Sequence, residues 1–278
     1  MKIPAPKPGI HPNVPFEDYC SWDALNHSKL KRIIEGCSMR SFKAGLADDD
    51  SPAKIFGRAA HMAFLEPDRF VSSFALAPVN PGTQKAYGYD TKKYQEACAA
   101  QPDKVLLASE DVDGCKLLVQ NIRDHPVARD VFERRGMAEV CIVWVCPITG
   151  LVCKGRIDYL NNYSTDLKST TCAAPPSLSS DIVNFFYHTQ AAFYEIGKEV
   201  LKIEAPHTLV FLEKKTWDVA VHEIDEPTMA IAKNLVTDAL RKVAACQKAK
   251  FYPGYTQNGI ESIGAPMWYL KRYADAEV

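Results

Sequence analysis

Gly150-Leu151-Val152-Cys153-Lys154-Gly155-Arg156-Ile157-Asp158-Tyr159-Leu160-Asn161-Asn162-Tyr163-Ser164-Thr165-Asp166-Leu167-Lys168-Ser169-Thr170 is the stretch whose reading decides the fold. β-Branched and aromatic residues over Leu151–Leu160, turn chemistry at Asn161-Asn162 and a second alternating run from Tyr163 to Ser169 predict a β-hairpin. Side chains alternate along a strand, so Asp166 and Lys168 share a face. Register decides whether Asp158 joins them. A two-residue turn sets Asp158 opposite Thr165, whereas a three-residue loop at Asn161–Tyr163, with one residue in the left-handed region, sets it opposite Asp166. The expectation is the odd loop. Two carboxylates converging with a lysine inside an apolar strand pair are unfavourable unless a divalent cation lies between them. The hairpin therefore points to a hard-metal site.

Working outward, Ala138–Cys146 reads as a nearly continuous apolar strand with Glu139 at its entrance. Glu139 is read as an edge charge in preference to a peripheral metal ligand. Earlier, Ala53–Leu65 is a helix between a Ser51 cap and Pro67, preceded by an Asp48-Asp49-Asp50 loop. Its centre, Phe56-Gly57-Arg58-Ala59-Ala60-His61, lets another element approach closely. A histidine among apolar residues is commonly a core residue, but His61 is the natural nitrogen donor if the carboxylate site lies beneath it. A helix from Asn26 or His27 to Gly36 carries Ser28, Lys29 and Arg32, read either as a solvated face or as phosphate contacts. Residues 1–22 are an extended lead-in whose Phe16, Tyr19 and Trp22 pack on the body without forming a helix, and residues 23–278 form one domain.

Residues 71–104 read as a surface loop with a short helix at Thr91–Ala99, in which Lys85, Tyr87, Tyr89, Lys92 and Lys93 suit either a nucleic-acid strand or plain solvent. Ser109–Arg123 is an amphipathic helix, followed by a further turn from Pro126. After the hairpin, Pro175-Pro176 breaks the chain and helices follow over Leu178–Phe185 and His188–Leu201. Gln190 and Tyr194 stand one turn apart on the second, facing one neighbour. Strands over His207–Leu212 and Trp217–Ile224, a long helix over Pro227–Lys248 and a closing segment, Asn258–Leu270, with Trp268-Tyr269 packed on the body, complete the reading.

Composition narrows the class. The chain has 278 residues, 47% hydrophobic and 24% charged, as ordinary globular domains do, and its net charge of -1 excludes a generally basic nucleic-acid binder. Any phosphate contact must be local. Met1–Pro8 lacks the apolar core of a secretory signal and no window reaches transmembrane length, so a cytoplasmic protein without a membrane partner is expected. Nine cysteines without a Cys-x-x-Cys pair fit reduced thiols better than a closed zinc or iron–sulfur site.

Taken in order, Gly57-Arg58-Ala59-Ala60-His61 with Leu65-Glu66-Pro67, Gly155-Arg156-Ile157-Asp158, Asp166-Leu167-Lys168-Ser169-Thr170, Gln190-Ala191-Ala192-Phe193-Tyr194 and Pro266-Met267-Trp268-Tyr269 resemble the PD-(D/E)xK nucleases. The likeness is to the branch with RecB-type nuclease domains and phage λ exonuclease, and most to the nuclease domain of the RecE type (exonuclease VIII). It implies an α/β fold with a central mixed β-sheet flanked by helices. It also implies that His61, Asp158 and Asp166 bind Mg²⁺, with Mn²⁺ as a substitute and one or two ions held. The Leu167 carbonyl would complete the inner shell, Lys168 would orient the attacking water as a charged group or as a base, and Gln190, Tyr194 and Arg156 would support the site or the DNA. Asp166 stands where many relatives place Glu. The implied activity is 5′-to-3′ digestion of double-stranded DNA ends, leaving a 3′ overhang for recombination and repair through a RecT-like annealing partner. A homo-oligomeric ring, a tetramer, is implied too. The alternatives are an endonuclease of the same fold and a non-catalytic DNA-end binding protein.

Overall fold

The computed structural model describes residues 2–45, 51–257 and 259–273, so the Asp48-Asp49-Asp50 loop and Asn258 lie outside the described residues. In chain order the elements are β1 (Ile3–Pro4), β2 (Gly9–His11), α1 (Phe16–Ser21), β3 (Trp22–Asp23), α2 (His27–Ile34), α3 (Met39–Ala44), α4 (Pro52–Leu65), α5 (Pro67–Ser73), β4 (Phe74–Leu76), α6 (Lys92–Ala100) and β5 (Val105–Leu107). There follow α7 (Ser109–Asp124), α8 (Pro126–Glu133), β6 (Met137–Val145), β7 (Val152–Leu160), β8 (Ser164–Thr170), α9 (Pro175–Asn184), α10 (Tyr187–Leu201), β9 (His207–Glu213), β10 (Val219–His222), α11 (Glu226–Ala249) and α12 (Met267–Arg272).

The central sheet runs β10-β9-β8-β7-β6-β2, with β8 and β9 parallel and the other neighbours antiparallel. This is the mixed α/β sheet expected. Its middle strands are apolar because both faces are covered. On one face, Trp144 and Ile142 of β6 and Ile157 of β7 pack with Phe193 of α10, Leu30 of α2 and Val236 and Leu240 of α11. On the other, Leu167 of β8 and Val210 and Leu212 of β9 meet Phe56, Ala59 and Ala60 of α4 and Leu118 and Ile122 of α7. Among the described residues no helix is long and apolar enough to cross a membrane.

The hairpin register is set by Tyr159 opposite Thr165 and Leu160 opposite Ser164, so the loop is Asn161–Tyr163, of odd length as expected. No loop residue is left-handed. The Asn161 carboxamide closes the loop instead, accepting the Tyr163 N–H at 2.8 Å and donating to the Val131 and Arg134 carbonyls. The positive φ lies across the sheet, at Glu139, with φ 53°. Ala138–Tyr159 and Val140–Ile157 are paired, while Glu139 and Asp158 between them are not. Strict alternation would place Ile157 and Leu160 on opposite faces, yet both enter the α10-side core. The kink at Asp158 therefore turns its carboxylate away from the simple face-sharing with Asp166 that the register alone predicts.

Other expectations change as well. Residues Phe16–Ser21 are helical, because Pro15 precedes a run able to bury Tyr19, and β2 pairs with β6 as a strand of the central sheet. Pro175-Pro176 opens α9 instead of breaking the chain, since proline suits the first turn. Residues 71–104 are not all loop and helix: β4 within them pairs in parallel with β5 just beyond, a contact too short to leave a periodic signal. Trp268 and Tyr269 are exposed, at 67% and 46%, and do not pack on the body.

Gly197 brings α10 against β6, for a Cβ there would lie 2.9 Å from the buried Trp144 ring. Gly197→Ala gains about 1 kcal/mol of helix propensity but overpacks a ring that Phe193 already confines, at about 1–3 kcal/mol. A lower Tm in thermal unfolding is expected, and an unchanged or raised Tm would contradict this packing.

Candidate active site

The kink gives Asp158 its surroundings. Its Oδ2 accepts the Leu167 N–H at 2.7 Å and lies 3.4 Å from His61 Nδ1, while His61 Nε2 stands 2.8 Å from the Leu167 carbonyl oxygen. His61 reaches β7 and β8 from α4, where Ala59 and Ala60 let the helix sit close to Leu167. Glu139 completes a group whose ligand atoms, one each from His61, Glu139 and Asp158, all lie within 4.8 Å of one another. The preference for an edge charge at Glu139 is therefore corrected: its backbone is left-handed, and its carboxylate is paired with Arg156 and lies in the cluster.

Asp166 is 2% exposed, and its Oδ2 makes no hydrogen bond of good geometry but has the Lys168 ammonium against it as an ion pair. Lys168 donates to Gln190 Oε1 at 3.0 Å and lies 4.9 Å above the Tyr187 ring. Gln190 Nε2 donates to the Tyr194 hydroxyl at 3.2 Å, and that hydroxyl donates to the Arg156 carbonyl at 2.9 Å. A chain of hydrogen bonds thus runs from β8 through α10 to β7, two residues before Asp158. Gly155 makes it possible, because a Cβ there would lie 2.8 Å from the Tyr194 ring. The Arg156 guanidinium faces inward, paired with Glu139 and donating to the Val14 carbonyl at 2.9 Å. It holds Glu139 and the lead-in; its side chain, 10% exposed, is not presented to DNA.

The electrostatics divide the two aspartates. Burial, then Asp166, then Glu139 push Asp158 well above its ordinary value. For Asp166 burial acts upward, but Lys168 and then His207 outweigh it and hold the group below that value. Burial acts downward on Lys168, and Asp166 and Asp158 overcome it, so its pKa is raised. Without a cation the two carboxylates thus favour the ammonium form of Lys168. Burial pushes His61 down.

Two histidines that the sequence reading passed over lie behind these groups. His27 of α2 bonds Thr189 at 2.9 Å, and burial lowers it to about 3; His207 lies 3.3 Å from Ser164 Oγ and is lowered by burial to about 4. His27 sits in the polar start of α2 and His207 at the first position of β9, and neither place carries a periodic signal for a site. Ser28 and Lys29, in contrast, are exposed, and among the described residues Ser28, Lys29 and Arg32 make no recorded contact with the site. Of the loop residues from Lys85 to Lys93, Tyr87 packs on a separate small cluster around Tyr94 and Leu106, while Lys85, Tyr89, Lys92 and Lys93 are exposed.

Residues 26–263 match the family model of a PDDEXK-like domain of unknown function (DUF3799). The chain belongs to that family. Among solved structures, a candidate exonuclease from Eubacterium rectale is similar to this PDDEXK-like chain with a TM-score of 0.58 at 11% identity, covering 95% of this chain and 100% of that one, a likeness of fold. A second, SSO0001, has a TM-score of 0.28 at 15% identity over 77% of this chain and 84% of that one, and carries no argument. No curated protein matches the chain at a significant level.

The donor set of carboxylates, a carbonyl and one imidazole fits a hard divalent cation of the Mg²⁺ or Mn²⁺ kind. Asp158 supplies a test. Its pKa is raised above the ordinary 3.8, so its protonated form contributes stability that is lost as pH rises through the raised value. Asn at this position keeps an acceptor for the Leu167 N–H and offers an amide to His61 Nδ1. In EDTA, Asp158→Asn should raise Tm above that pKa by about 2–4 °C, the effect of ~1 kcal/mol in a chain of this size. It should also abolish the rise in Tm that Mg²⁺ or Mn²⁺ gives the unaltered protein. A cation-dependent rise that survives the substitution would remove Asp158 from the site.

Proposed function

We propose that this protein is a divalent-metal-dependent exodeoxyribonuclease that hydrolyses phosphodiester bonds at the ends of linear double-stranded DNA. The observation that carries the reading is the cluster of His61, Glu139 and Asp158, within 4.8 Å and beside the Asp166–Lys168 ion pair. His61, Asp158, Asp166, the Leu167 carbonyl and Glu139 would hold Mg²⁺ or Mn²⁺. Bound there, the cation supplies the charge that makes water a nucleophile at neutral pH and neutralises the developing oxyanion.

The chain's own residues do the rest. Lys168, kept as an ammonium by Asp166 and Asp158, donates to the attacking water or to a non-bridging phosphate oxygen and so orients them. Gln190 fixes one of its hydrogens and Asp166 faces a second, leaving the third for the water or phosphate oxygen. Tyr194 holds Gln190 and the Arg156 carbonyl, so the lysine and Asp158 keep their relative positions. Arg156 neutralises and aims Glu139.

Digestion from 5′ to 3′, a 3′ overhang passed to a RecT-like annealing protein, and a ring-shaped tetramer around the duplex extend the proposal by resemblance to RecE-type nucleases. A ring would concentrate a small local positive charge in a channel while the whole chain stays near neutral.

Linear duplex and covalently closed circular DNA, each supplied with Mg²⁺, test the reading. Loss of the linear molecule alone, with a 5′ label released first, is expected; cutting of the circle at a comparable rate would make the protein an endonuclease. Asp166→Ala and Lys168→Ala should each lower kcat/KM by at least about a hundredfold, the scale of removing a group that stabilises transition-state charge. Wild-type rates in either variant would remove that residue from the reaction.

A further inference from the structure

The turn entering α10 carries aromatic rings that the hydrolytic machinery leaves unused. Phe186 occupies the left-handed region at φ 63°, where an aromatic side chain gains nothing and an Asn or Gly would sit without strain. The turn is nevertheless pinned on both sides. The Phe185 N–H donates to the Asp181 carbonyl at 2.9 Å, the Phe186 N–H to Val183 at 3.2 Å, and the Gln190 N–H to the Phe186 carbonyl at 3.1 Å. This fixed backbone holds Phe185 half out in solvent, 50% exposed.

From that ring a ladder leads to the reaction centre. Phe185 lies 5.7 Å from Tyr187 at an interplanar angle of 33°, and the Lys168 ammonium lies 4.9 Å over the Tyr187 ring. Tyr187 is itself anchored on Phe211, 6.1 Å away. The outermost ring thus stands one aromatic layer from the lysine that meets the scissile phosphate. A nucleic-acid strand is a ligand that carries a flat aromatic ring within one nucleotide of that phosphate. Phenylalanine has no hydrogen-bonding group, so it stacks on any base without reading sequence, as an enzyme degrading arbitrary DNA requires.

We propose that Phe185 is a stacking platform for the nucleobase next to the scissile phosphate. The inference rests on the nuclease reading of the site and adds a base-binding position to it. Stacking on Phe185 orients the strand end, and Tyr187 passes that position to Lys168.

The test uses duplexes with 2-aminopurine or an abasic nucleotide beside the terminal scissile phosphate, bound with Ca²⁺ and cleaved with Mg²⁺. Binding to the unaltered protein should change the 2-aminopurine emission. Phe185→Ala should abolish that change and raise KM about tenfold, equivalent to about 1.4 kcal/mol, with a smaller effect on kcat. Phe185→Trp should restore both. An abasic nucleotide should raise KM for the unaltered protein and add nothing further in Phe185→Ala. Unchanged emission and KM in a folded Phe185→Ala, or a shift in its oligomeric size by light scattering, would overturn the proposal, the latter by assigning the ring to a subunit contact. If the unaltered protein neither binds nor cuts DNA, the nuclease reading itself fails, an outcome distinct from either of these.

Discussion

Two buried aspartates and a half-buried glutamate gather, among the described residues, around Lys168, Arg156 and His61, and the rest of the structure serves to hold them there. Asp166 has the Lys168 ammonium against it, while Asp158, among the described residues, is met by the Leu167 N–H and a histidine whose pKa burial lowers. Such a group of charges is unfavourable in a low-dielectric interior without positive charge to complete it. The fold does not relieve the conflict by exposing the carboxylates. It closes the space with α4 on one side, which brings His61, and α10 on the other, which brings Gln190 and Tyr194. An arrangement maintained against its own repulsion is one suited to a cation and to a polyanionic substrate.

The order of the strands makes this possible. β8 runs parallel to β9 and antiparallel to β7, and its ladder with β7 is recorded only at Tyr159–Thr165 and Leu160–Ser164, so the two strands part where Asp158 and Asp166 begin. The gap is bridged by a side chain, Asp158 to the Leu167 N–H, in place of a backbone pair. A second linkage, from Lys168 through Gln190 and Tyr194 to the Arg156 carbonyl, spans the same gap from the α10 side. Arg156 carries the support outward to Glu139 and to the Val14 carbonyl, which ties the lead-in to the site.

Much of this was legible in the residues. The odd loop at Asn161–Tyr163, the helix carrying His61 and the one-turn spacing of Gln190 and Tyr194 followed from strand alternation, capping and helical periodicity. What escaped was whatever broke a period. Glu139 adopts a left-handed backbone although nothing in Met137-Ala138-Glu139-Val140 demands it, and the resulting kink sends Asp158 toward His61 while Asp166 turns to Lys168. A reading based on period two assigns both aspartates to one face and Glu139 to an edge. His207 and His27 escaped for a related reason, since a histidine at the start of a strand or helix is identified as buried only by the partner that the fold brings to it.

The central claim is that these side chains converge on a cation. Anomalous diffraction from crystals soaked in Mn²⁺ tests it most directly. A manganese peak bounded by His61, Asp158 and Asp166 is expected, with Glu139 and the Leu167 carbonyl within coordinating reach. Manganese bound elsewhere, with those side chains undisturbed, would contradict it.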